Sequence, residues 1–157
     1  MITKKSILYS LILVIAVLMI QPDAQAQSRS SKVGLGVILG EPTGLSFKAW
    51  TSSTNAFDGG LAWSFGHDSD LYVHADYLWH NYSVFNVNEG SMPLYYGIGG
   101  RILFANDPRV GVRIPVGMEY EFEDSPVGIF FELAPILDLV PETDFDLSGG
   151  VGLRYYF

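Results

Sequence analysis

Beyond the first thirty or so residues the chain keeps a two-residue beat. Over 109–122, Val110, Val112, Ile114, Val116, Met118, Tyr120 and Phe122 fall on one face, and Gly111, Arg113, Pro115, Gly117, Glu119 and Glu121 on the other, because successive side chains of a β-strand point to opposite sides. At the end of the chain Val151, Leu153, Tyr155 and Phe157 oppose Gly150, Gly152, Arg154 and Tyr156. Val127, Ile129, Phe131 and Leu133 oppose Gly128, Phe130, Glu132 and Ala134, and Leu94, Tyr96, Ile98 and Ile102 oppose Gly97, Gly99 and Arg101. No helical period survives in this part, and no repeat of fixed length is visible. Turn-forming clusters at 41–44, 67–70, 106–108 and 123–126 separate the alternating stretches, which predicts an all-β fold of hairpins. Strands are expected near 32–40, 45–52, 55–65, 71–82, 93–104, 109–122, 127–138 and 147–157, an even set of eight. Pro115 and Pro135 fall inside two of them, where a missing N–H predicts a bulge or a shifted register.

One face is oily and the other mixes glycine with charge, and that alone does not say which is inside. A water-facing strand surface is normally rich in Thr, Lys, Glu and Gln, whereas glycine weakens a strand and suits places where space is tight. Gly34, Gly36, Gly97, Gly99, Gly111, Gly117, Gly128, Gly150 and Gly152 all fall on the charged face, which reads as the lining of a narrow lumen, with the oily face toward lipid. With the strands numbered up and down and both termini on one side, Trp79, Tyr96, Tyr120, Phe122, Tyr155 and Phe157 gather at that side, and Trp63, Phe65 and Phe104 at the other. Two such girdles are what the two interfaces of a bilayer select. The expected fold is an eight-stranded antiparallel up-and-down transmembrane β-barrel.

The first residues follow a different rule. Lys4 and Lys5 precede an apolar run from Ile7 to Ile20, and Ala24-Gln25-Ala26 offers a small-x-small cleavage site, so residues 1–26 read as an export signal and 27–157 as the barrel. As a permanent helical anchor the run is too short, since about 14 residues span only ~21 Å of a ~30 Å hydrocarbon core. Cysteine is absent, which removes disulfides, thiolate metal sites and an acylated cysteine anchor. Nine Lys and Arg against 17 Asp and Glu, a net charge of −8, disfavour nucleic acid as a partner.

The ending Gly149-Gly150-Val151-Gly152-Leu153-Arg154-Tyr155-Tyr156-Phe157 resembles the close of the small bacterial outer-membrane barrels of the OmpA-like class. The resemblance implies a Gram-negative outer-membrane location and contact with outer-membrane lipids. It also implies that Val151, Leu153, Tyr155 and Phe157 act as the signal read by the barrel assembly machinery, with periplasmic chaperones as partners during biogenesis. Leu35 to Leu45 is similar to the opening hairpin of uncharacterised small outer-membrane proteins. The loops expected at the cell surface, near 41–44, 66–70, 105–108 and 139–146, are scarcely longer than the opposite turns, unlike the long external loops usual in the class. Short loops weaken adhesin and receptor readings.

Lys48, His74, Asp76, His80, Arg101, Arg113, Glu119, Glu121, Glu132, Asp138 and Arg154 share the lumen face. Charges in so small an interior must pair, and a hairpin turning near Thr143 would set Glu132 opposite Arg154. The leading expectation is a closed polar plug with a structural or envelope-integrity role and no catalysis, against a gated pathway for small ions. Two alternatives of other classes stand beside it. One is a lipid-modifying enzyme, by acyl transfer or deacylation, using His74 and Asp76 with Ser64 or Ser46 as nucleophile; no serine is fixed beside either histidine. The other is a soluble periplasmic lipocalin-like carrier with its oily face inward. His67 sits in an acidic loop and reads as solvated. Glu142, Asp144 and Asp146 alternate in an expected loop but lack the glycine and distal glutamate of a calcium loop, and no glycine pattern supports a nucleotide. No metal or other cofactor is expected.

Overall fold

Alternating β-branched, aromatic and glycine positions become strands wherever a Pro, Gly, Asn or Asp cluster does not interrupt them. In a computed structural model, which describes residues 33–63 and 70–157, they form β1 (Val33–Glu41), β2 (Gly44–Trp50), β3 (Asn55–Trp63), β4 (Leu71–Asn81), β5 (Leu94–Phe104), β6 (Arg109–Arg113), β7 (Val116–Glu121), β8 (Val127–Val140) and β9 (Asp144–Tyr156). Each pairs antiparallel with its neighbour, and β1 pairs with β9, Gly34 opposite Tyr156 through Glu41 opposite Gly149. The sheet therefore closes on itself. The segment read as an export signal, together with Phe65, Ser64 and His67, lies outside the described residues.

β6 and β7 are two halves of one staves' width. Both pair with β5 and with β8, so the barrel is a ring of eight strands. Pro115 splits the stave because it has no N–H to give, yet its carbonyl accepts from Gly97 and the neighbouring Ile114 N–H reaches the carbonyl of Pro135. The pairing on β5 keeps one register on both sides of the break, Arg101 opposite Gly111 and Tyr95 opposite Gly117. Pro135 sits opposite Leu147 within an unbroken ladder. The bulge expected at the prolines falls elsewhere: Val110 faces Val140 and Gly111 faces Asp138, leaving Leu139 as the extra residue.

The last hairpin is also tighter than its sequence suggests. β8 and β9 run to Val140 and from Asp144, so the turn is 141–143 rather than a loop over 139–146. The longest described connection, 82–93, lies instead at the rim where β1 begins and β9 ends, the terminal rim. It is tied down there by a Ser91–Glu121 bridge and by the Tyr120 hydroxyl, which donates to the Glu89 carbonyl at 3.0 Å. Its Gly90 takes φ of 70°, a left-handed conformation that only glycine adopts without strain.

Burial follows the pleat and reverses the arrangement of a water-soluble protein. Leu39, Ile98, Ile114, Phe145, Leu147 and Val151 are more than half exposed on the outside, while Lys48, Arg113, Glu119, Asp138 and Arg154 are essentially inaccessible inside. The outer aromatics sort by height. Trp79 stacks on Tyr96 at 5.9 Å, and Tyr120 with Phe122 and Tyr155 with Phe157 meet edge to face at 4.9 Å, all at the terminal rim. At the opposite, far rim Trp63 faces Leu71, which faces Phe104.

Candidate functional site

Because the sheet closes, inward side chains reach partners on strands that are not their neighbours as well as on those that are, and the charged ones form three tiers. Nearest the far rim, Arg101 on β5 grips Asp138 with Nε at 3.0 Å and Nη2 at 2.5 Å, and reaches Asp146 with Nη1 at 2.7 Å. Half-exposed Arg109 adds longer contacts to Asp138 and Asp144.

In the middle tier Arg113 on β6 reaches Glu132 on the neighbouring β8 (Nη2, 2.5 Å), the Tyr72 hydroxyl on β4 (Nη1, 2.8 Å) and Ser148 on β9 (Nη1, 3.4 Å). The Tyr95 hydroxyl donates to the other oxygen of Glu132 at 2.9 Å. Arg113 Nε also comes to 2.9 Å of Asp76 Oδ2. That contact is ionic, since neither Nε nor either Asp76 oxygen has a hydrogen bond of good alignment. His74 lies beside it, with Nε2 3.9 Å from Asp76 Oδ2 and its ring edge to face with Tyr72.

The tier nearest the terminal rim centres on Arg154 and Glu119. Arg154 donates from Nη2 to both oxygens of Asp58 at 2.8 and 3.0 Å, from Nε to Ser46 at 2.9 Å and from Nη1 to Glu119 at 3.4 Å, and its guanidinium lies over the Phe130 ring at 3.8 Å. Glu119 also takes Lys48 Nζ at 2.5 Å and the Tyr156 hydroxyl. His80 lies beside this tier, its Nδ1 against the Thr54 carbonyl at 3.1 Å and its ring between Trp50 and Tyr95.

The inward residues singled out from sequence thus converge, with two corrections. Glu132 does not face Arg154: the register sets Gly128 opposite Arg154 and Glu132 opposite Gly150, because the hairpin is centred on Pro141, two residues before Thr143. Glu132 is held by Arg113 and Tyr95 instead. Glu121 sits at the terminal rim, half-buried, where it accepts from the Ser91 hydroxyl at 2.8 Å, outside the three tiers. Sequence reasoning passed over Asp58, which anchors Arg154, and the three inward phenols Tyr72, Tyr95 and Tyr156. Asp58 alternates with Ala56, Gly60 and Ala62, so the signal was a carboxylate on the small-residue face of β3. Ser46, a conceivable nucleophile, has its hydroxyl on Arg154.

A closed ring of eight antiparallel strands with an apolar exterior and buried charges inside is an eight-stranded antiparallel β-barrel. The fold is similar to that of the N-terminal β-barrel domain of OprF from Pseudomonas aeruginosa, with a TM-score of 0.51 over 80% of this chain and 95% of that one, at 13% identity. No protein-family model matches the sequence, and no curated protein is similar to it.

Proposed function

We propose that this chain is an integral outer-membrane β-barrel without catalysis, exported by its first 26 residues, whose ion-paired interior closes it to solutes and whose role is structural, in the integrity of the envelope. The observation that carries this reading is the inverted burial: large apolar side chains face out at 36–68% exposure while four cations and five carboxylates are buried inside. A water-soluble carrier would need the oily face inward. The aromatic rows at the two rims are then the interfacial girdles, Trp79, Tyr96, Tyr120, Phe122, Tyr155 and Phe157 on the periplasmic side and Trp63 and Phe104 on the outer one. Val151, Leu153 and Tyr155 on the outer face of β9, with Phe157 directly after it, form a continuous apolar edge suited to recognition by the assembly machinery.

Closure follows from crowding. An eight-stranded barrel has room for its inward side chains and little else, and here Lys48 on β2 reaches Glu119 on β7 and Arg154 on β9 reaches Asp58 on β3, with Arg113 and Tyr95 also buried inside. Alkaline carbonate washing of cell membranes is expected to leave the protein in the pellet, with release only by detergent; release by carbonate alone overturns membrane integration. Purified protein in planar bilayers is expected to give no conductance steps, and regular steps overturn the closed plug.

A further inference from the structure

The middle tier contains a group of ligands that the plug does not use fully. Among the described residues, five buried carboxylates face four buried cations in the lumen, and the least satisfied is Asp76. Its side chain is wholly buried, neither oxygen accepts a well-aligned hydrogen bond, and its one cationic neighbour, Arg113, meets it only through Nε at 2.9 Å and directs Nη1 and Nη2 to other partners. A buried carboxylate in that condition is costly unless a further positive charge meets it. His74 is next to it on the same face of β4, its side chain 6% exposed and its Nδ1 without a hydrogen bond.

The Nε2 to Oδ2 separation of 3.9 Å is too long for a hydrogen bond, yet it suits two atoms bound to one ion, because ligands about 2.0–2.2 Å from a metal lie roughly 3–4 Å apart. Glu132 on the facing β8 completes the set: one ligand atom from each of His74, Asp76 and Glu132 can be chosen so that all lie within 4.8 Å of one another. Each carboxylate oxygen has two lone pairs, so Glu132 can keep Arg113 and Tyr95 while offering a third direction.

We infer that His74, Asp76 and Glu132 form a binding site for one divalent transition ion across the middle of the lumen. One imidazole with two carboxylates is a borderline-hard set that fits Zn²⁺ or Mn²⁺ better than Ca²⁺ or Mg²⁺, which favour oxygen alone. Three protein ligands leave a coordination position for water. The ion would join β4 to β8, strands that are not neighbours in the ring, and would stabilise the folded ring in proportion to its occupancy. Arg113 flanks both carboxylates and competes with the ion for them, which holds the affinity below that of an isolated set.

The test uses untagged protein refolded in detergent and titrated with ZnCl₂ by calorimetry. Loss of even an outer-shell partner commonly weakens a metal site by about 10–100-fold, so His74→Gln and Asp76→Asn are each expected to weaken binding of one equivalent by at least about tenfold. His67→Ala and Asp146→Asn are expected to leave it unchanged. Where a lumen variant does not refold, the wild-type protein decides: on adding Zn²⁺ the ring resonances of His74 shift while those of His80 stay. Absence of stoichiometric binding overturns the site, as does binding that survives His74→Gln or a response confined to His80 or His67.

Discussion

Lys48 on β2 and Glu119 on β7 meet at 2.5 Å with no exposure on either side chain, although the two strands are not neighbours in the sheet. The pair therefore crosses the lumen, and it joins walls that backbone hydrogen bonds do not connect. Replacing Glu119 by Gln keeps the shape but leaves Lys48, and one arm of Arg154, facing a neutral amide. Breaking one side of a buried pair costs about 3–5 kcal/mol, more than removing both. Glu119→Gln is expected to lower the urea midpoint of unfolding from phospholipid vesicles sharply, and the double variant Lys48→Met, Glu119→Gln to recover most of the loss. Equal loss in the single and double variants would mean that the charge balance is not what holds this tier.

Arg154 is bound by shape as much as by charge. Its fork takes both oxygens of Asp58 and Ser46, and its plane rests on Phe130. An ammonium is a point charge on a flexible stem and cannot reproduce a planar fork. Arg154→Lys, which preserves net charge, is expected to cost about 2–3 kcal/mol, read by the same unfolding experiment. Retention of wild-type stability would show that a positive charge near Asp58 is sufficient.

The pleat made most of this architecture readable from sequence, because inward and outward positions alternate without a slip through Pro115 and Pro135. What the alternation cannot encode is the partner across the lumen. A last turn near Thr143 pairs Glu132 with Arg154 and one at Pro141 pairs it with Gly150, so a small displacement of the turn re-pairs every residue of a hairpin. His74 and Asp76 were visible as a pair, but Glu132 joins them only because the ring closes. Asp58 was lost because β3, with Ala56, Gly59, Gly60 and Ala62, lacks the strong oily beat of the later strands. Tyr72, Tyr95 and Tyr156 look like apolar aromatics until their hydroxyls are seen to reach Arg113, Glu132 and Glu119.

Glycines separate packing from backbone effects. A Cβ on inward Gly152 would meet the Phe130 ring and the Val37 carbonyl oxygen, and the ring cannot retreat because Arg154 lies over it. On outward Gly100 the nearest atom is the Gly111 carbonyl oxygen at 3.5 Å, an ordinary contact. Gly152→Ala is therefore expected to impair refolding, seen as loss of the compact, heat-modifiable band on gels. Gly100→Ala is expected to be neutral or to stabilise by about 0.4–1 kcal/mol by restricting the unfolded chain. Equal tolerance of both would refute the tight inward packing.

Depth in a bilayer gives the most direct check on which surface meets lipid. Ile98 is at the middle of β5 and 53% exposed, and Phe104 is at its far end and 50% exposed. In water the two positions would accept an arginine almost alike, since both are equally open. In a bilayer the cost depends on depth, about 2–4 kcal/mol at the midplane and about 0–1 kcal/mol near an interface. Ile98→Arg is thus expected to destabilise the barrel in vesicles far more than Phe104→Arg, while in detergent micelles, which deform around a charge, the difference should shrink. Equal costs in vesicles would place this face in water and remove the basis of the membrane reading.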